Sequence, residues 1–106
     1  MRYRIMRLIV MFDLPVETSL ERKAYRQFRK ALLSEGFLMI QESIYVRVAT
    51  NGKAIELLEN RIARFAPTNG VIQTLQVTEK QYASMHFLTG ELKTDVKNRD
   101  DKVIVI

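Results

Sequence analysis

One carboxylate in this chain stands where chemistry is easiest to do. Arg7-Leu8-Ile9-Val10-Met11-Phe12-Asp13-Leu14-Pro15 is an apolar run that stops on an acid. Leu8 to Phe12 has no helical period and reads as a strand buried on both faces. Asp13 then falls at the carboxyl end of a central strand, where charge must be partnered or wet. A strand end fixes the backbone while the loop beyond it opens to solvent. That suits a metal ligand or an acid/base group. The plainer alternative is that Asp13 only caps the turn into the next helix, since Asp ahead of Pro is common in turns.

A second signal is cationic. Arg22, Lys23, Arg26, Arg29 and Lys30 lie in residues 22–30 with no acid among them. The whole chain carries a formal net charge of +5, and this one stretch equals it. Like charges crowded on one element repel, which favours an anionic partner such as a nucleic-acid backbone over a merely solvated face. Arg2, Arg4 and Arg7 either extend this patch or flank the first strand.

Other chemistry is excluded or weak. There is no cysteine, so disulfides, thiol nucleophiles and thiolate metal sites are absent. The single histidine, His86, rules out a multi-histidine zinc site within one chain and reads as structural. Ser43 has no base placed for it and reads as a bend residue rather than a nucleophile. Tyr45 reads as core packing, and the methionines as core filler.

The elements that must position these residues alternate. A strand at residues 6–13 is followed by a helix at 19–35, capped by Thr18 or Ser19 and ended by Gly36. Leu20, Ala24, Phe28, Ala31 and Leu32 fall on one side of that helix and the five cations on the other. Residues 37–48 are strand-like, interrupted by Gln41-Glu42-Ser43 as a bend, a bulge or a tight hairpin. After the Asn51-Gly52 turn, a helix at 53–65 shows Ile55, Leu58, Ile62, Phe65 and Ala66 on its inner face. Residues 66–70 break the chain, residues 71–77 alternate as a strand, 78–84 give one or two helical turns, and 85–89 suggest another short strand.

The remainder, 91–106, reads as a polar linker ending in the apolar strand Lys102-Val103-Ile104-Val105-Ile106. That strand is expected to dock on its own sheet or on a partner's. The order implies an α+β, ferredoxin-like βαββαβ sandwich at residues 1–90. Helices on one side leave the other sheet face needing cover, so a homodimer is expected. Arg2-Tyr3-Arg4 and the apolar residues after it mimic a signal peptide, but Arg7 and Asp13 interrupt the run. No stretch is long enough to span a membrane, and a cytoplasmic location with no membrane partner is expected.

These features together resemble the smaller of the two universal CRISPR spacer-acquisition proteins. That family carries an aromatic-Asp at the end of its first strand, arginines in its first helix, and Gln-x-Ser-(Val/Ile)-(Phe/Tyr) in its second strand. Here Phe12-Asp13, the basic helix and Gln41-Glu42-Ser43-Ile44-Tyr45 match in order, over essentially the whole chain. The extension at residues 1–6 and the length of the 78–90 region are similar to the variant found with large single-protein effector systems.

The resemblance implies a homodimeric scaffold that binds double-stranded DNA or RNA and partners the larger CRISPR integrase subunit. It also implies metal-dependent endonuclease activity, with Asp13 as both the catalytic residue and the ligand of a Mg2+ shared across the dimer. No second acid lies beside Asp13, so catalysis is expected to be weak or dispensable. Two alternatives remain: a stand-alone ribonuclease toxin of related fold, and an RNA-binding module of the RRM type. The latter is disfavoured because no stretch matches its aromatic signature.

Overall fold

A computed structural model gives the structure of the protein, of which residues 5–91 are described. Its elements run β1 (Met6–Asp13), α1 (Ser19–Ser34), β2 (Leu38–Gln41), β3 (Ile44–Ala49), α2 (Gly52–Arg64), β4 (Val71–Thr78) and α3 (Glu79–Ala83). The sheet order is β2-β3-β1-β4, and every neighbouring pair is antiparallel. This is the ferredoxin-like α+β arrangement expected from the order of elements.

The apolar pattern of β1 explains why it is central. Met6, Leu8, Val10 and Phe12 point into the main core with Phe28 and Leu32 of α1 and Ile55, Leu58 and Ile62 of α2. Ile9 points to the opposite face and packs with Ile40 and Val46. A strand used on both faces shows no alternation, which is the pattern Leu8 to Phe12 displays. Both helices therefore cover the same side of the sheet.

The helix ends follow local chemistry. Thr18 Oγ1 accepts the Glu21 N–H at 3.1 Å while Glu21 Oε1 accepts the Thr18 N–H at 3.0 Å, a reciprocal cap for α1. At the other end no cation lies in the last turn of α1. Arg47 of β3 supplies one instead, donating from Nη1 to the Glu35 carbonyl at 2.9 Å. Gly36 ends the helix at φ +91°, as its position predicts, and Arg47 passes beside it. Asn51 caps α2 by accepting the Ala54 N–H at 2.8 Å.

Three sequence expectations are resolved or corrected. Gln41-Glu42-Ser43 is both a hairpin and a bulge: Gln41 pairs with Ile44, Ser43 turns at φ +65°, and the register shifts between Met39 and Gln41. Residues 85–89 form no strand. Their apolar residues do not find a sheet face to bury on, since Leu88 is almost fully exposed. Leu20 is not a core residue of α1: in the first turn of the helix it stays 77% exposed. The linker and the strand at residues 102–106, with Arg2 and Arg4, lie outside the described residues.

Candidate functional site

β1 delivers Asp13 to the edge of the sheet face that the helices leave open. Phe12 turns into the core, so Asp13 turns to the opposite side and is exposed. It sits in register with Val71 of β4. On its other flank the Phe12 N–H donates to the Ser43 carbonyl at 3.1 Å. The last residues of β1 are thus held between the β2–β3 turn and the start of β4.

That open face is apolar. It carries Ile9, Met11, Ile44, Val46 and Val77, and it leaves Val48 of β3 and Val71 and Leu75 of β4 substantially exposed. One end is covered by α3, whose Tyr82 packs against the cluster. Arg7 lies there too, with its guanidinium 4.5 Å above the Tyr82 ring and ion-paired to Glu79. Arg7 therefore fastens α3 to the sheet and does not extend the cationic patch. Burial pushes the Tyr82 phenol above its usual pKa, against the opposing charge of Arg7.

On the helix side, Arg22, Lys23, Arg26, Arg29 and Lys30 are all exposed on α1. Among the described residues none of the five pairs with an acid. They are not equivalent, however. Arg22 turns back to the loop before α1 and donates from Nη1 to the carbonyls of Val16 and Glu17, at 3.2 and 3.0 Å. Arg29 lies beside the buried Tyr45. Burial raises the Tyr45 pKa, and the Arg29 charge offsets part of that rise. Arg29 is near enough for that, yet the Tyr45 hydroxyl makes no well-formed hydrogen bond.

The structure also shows two residues that sequence reasoning missed. Tyr25 packs edge-on against Phe12, 5.8 Å between ring centres, and its hydroxyl lies 3.4 Å from Ser43 Oγ. It joins α1 to the turn beside Asp13. Its position next to the cations on the helical wheel was the available signal. Gly70 is the other: it meets the backbone of Asp13 directly.

Asp13 is a hard oxygen donor, which suits magnesium, an ion that keeps several waters and takes one or two protein carboxylates. Among the described residues no group of three or more His, Cys, Asp or Glu side chains gathers to hold a metal. The described residues therefore offer magnesium the Asp13 carboxylate without a gathered set of further protein ligands. No helix of the described residues is long and apolar enough to cross a membrane.

Fold and site together define a ferredoxin-like α+β domain with a strand-end carboxylate on an apolar sheet face that α1 and α2 leave uncovered and, behind it, a cationic helix whose five basic residues pair with no acid among the described residues. A family model for CRISPR associated protein Cas2 matches residues 6–85. The chain is 55% identical over 101 residues to the CRISPR-associated endoribonuclease Cas2 of Ligilactobacillus salivarius, covering 95% of this chain and 100% of that one. It is 54% identical to the protein of the same name from Lacticaseibacillus rhamnosus, with the same coverage. For that of Streptococcus mutans the identity is 46%, over 95% of this chain and 93% of the relative. The chain belongs to the Cas2 family.

Proposed function

We propose that this chain is a CRISPR-adaptation protein that works as a homodimeric scaffold on nucleic acid, with a metal-dependent endonuclease centre at Asp13. The observation that carries the proposal is the placement of Asp13 at the exposed end of β1, on an apolar sheet face that α1 and α2 do not cover. A second copy packed on that face would bury Val71 and Leu75 and would bring a second Asp13 to the same edge. Two carboxylates and water would then hold one Mg2+.

Magnesium there would supply Lewis acidity toward a phosphodiester and activate water for its hydrolysis. The chain's own residues divide the remaining work. Lys23, Arg26, Arg29 and Lys30 would present exposed charge to phosphates, and Arg22 would do so while it also ties down the loop before α1. Tyr25 and the Ser43 turn keep the end of β1 in register. Among the described residues no group of three or more His, Cys, Asp or Glu side chains gathers at Asp13, which supports slow chemistry and a structural role beside the integrase.

The relatives' name points to RNA as a substrate. The helix cations would contact the backbone of double-stranded DNA or RNA alike, because phosphate contacts carry no sequence information. The larger integrase subunit is the proposed protein partner, and the cytoplasm, where the array DNA lies, the proposed location. The subtype with large single-protein effectors rests on the length of the 78–90 region and on residues 1–6.

The test is paired. Cleavage of RNA and duplex DNA with and without Mg2+, and spacer integration reconstituted with the integrase, are measured for wild type and Asp13→Asn. Cleavage falling to background with integration retained supports the proposal. Unchanged cleavage removes Asp13 from the metal site. Lost integration in a folded, DNA-binding dimer overturns the scaffold role.

A further inference from the structure

We infer that Gly70 is a positioning residue for the Asp13 carboxylate, and through it for a hard divalent cation. The inference rests on the reading of Asp13 as a metal ligand. Gly70 has φ +96°, a conformation that L side chains rarely adopt. A Cβ built there would lie 2.6 Å from the Asp13 carbonyl oxygen, 2.8 Å from Leu14 Cδ2 and 3.1 Å from Leu14 Cα. Two of those three atoms are backbone and cannot swing away as a side-chain tip would.

The consequence is geometric. Ordinary contact begins near 3.4 Å, so any side chain at position 70 pushes the Asp13 carbonyl by about 0.8 Å or displaces β4 by as much. The opposite flank gives no room, because the Phe12 N–H is bonded to the Ser43 carbonyl. Metal ligation tolerates roughly 0.2 Å in ligand distance, and functional geometry about 0.5 Å. A displacement of this size therefore exceeds what the site absorbs. In a site made from two copies it enters twice. The residue just before β4 thus sets where the carboxylate at the end of β1 stands.

A control is built into the same chain. Gly90 has φ +83° but meets nothing within 4 Å of its would-be Cβ. Gly90→Ala carries the same backbone strain without the contact.

The experiment uses the full-length protein and Mn2+ as the probe, titrated by calorimetry, with melting temperature and sedimentation measured in metal-free buffer. Gly70→Ala, Gly70→Asn, Gly90→Ala and Asp13→Asn are compared with wild type. Asn accepts positive φ but keeps the Cβ, so Gly70→Asn separates strain from contact and protects the test if Gly70→Ala folds poorly. Gly70→Ala and Gly70→Asn should weaken Mn2+ binding tenfold or more in folded dimers, the scale seen for outer residues that orient a ligand. Gly90→Ala should lower the melting temperature without changing Mn2+ affinity. Unchanged affinity in a folded Gly70 variant, with Asp13→Asn binding lost, overturns the inference alone. Retained binding in Asp13→Asn overturns the ligand reading beneath it.

Discussion

Truncating Leu75 should weaken the proposed dimer by an amount the structure sets. Leu75 sits on β4 in register with Ile9, on the open sheet face, and is 51% exposed in the single chain. Complete burial of a leucine side chain contributes about 1.5–3 kcal/mol, so hiding the exposed half would contribute about 1 kcal/mol. A two-fold interface uses the residue twice, which makes about 2 kcal/mol per dimer, or a dissociation constant about 30-fold higher for Leu75→Ala. Leu75→Lys should do more, because it places two like charges in an apolar interface.

The fold of the protomer should hardly respond, since Leu75 is only half covered there. Sedimentation across a dilution series reads the dimer constant, and thermal melting at fixed dimer fraction reads the fold. Leu20→Ala is the matched control: Leu20 is more exposed, but it lies on α1 away from this face. Equal dimer constants for wild type, Leu75→Ala and Leu75→Lys would refute the use of this face. A larger loss for Leu20→Ala than for Leu75→Ala would move the interface to the helix side.

Four further outcomes are expected. Changing Lys23, Arg26 and Lys30 to Gln should flatten the plot of log affinity against log salt by about one per lost phosphate contact, with helix content by circular dichroism unchanged. Adding Arg22→Gln should also cost about 1 kcal/mol of stability in thermal melts, because its bonds to the Val16 and Glu17 carbonyls go with it. Arg47→Met should lower stability by about 1–2 kcal/mol in urea titration, since the Glu35 carbonyl at the end of α1 loses its donor. Burial raises the pKa of Tyr45 above its unfolded value, so the folded state holds that proton longer. Its contribution is complete below pH 10 and declines as pH rises through the folded value. Melting temperature should therefore fall more gently at high pH in Tyr45→Phe than in wild type.

Legibility in the sequence tracked how local each cause was. The unbroken apolar run of β1 announces a strand used on both faces, and its terminal acid marks the candidate site. The 3.6-residue stripes of α1 and α2 and the turn residues Asn51 and Gly36 announce their own ends. What stayed hidden depends on partners distant in the chain. Arg47 caps a helix that ends twelve residues before it, and nothing in its neighbours says so. Residues 85–89 look like a strand by composition, yet they join no sheet and Leu88 stays almost fully exposed. Tyr25 lies at the margin of the apolar stripe, and only the position of Phe12 makes it part of the core. Gly70 reads as an ordinary turn glycine until β4 is laid against β1.

A site that takes one Asp13 carboxylate from each chain would make its chemistry conditional on assembly. If the metal binds only where two Asp13 side chains meet, then magnesium and the second copy are linked ligands, and each strengthens the other by the same factor. Without metal the paired carboxylates repel, so Asp13→Asn should leave the dimer intact or tighten it while metal binding disappears. With metal at a hundredfold excess over its dissociation constant the wild-type dimer gains about 2.7 kcal/mol, which that variant cannot gain. The two dimer constants should therefore cross as magnesium is added. Parallel curves for wild type and Asp13→Asn would mean that the carboxylate and the interface are independent, and that the strand end does not form a shared site.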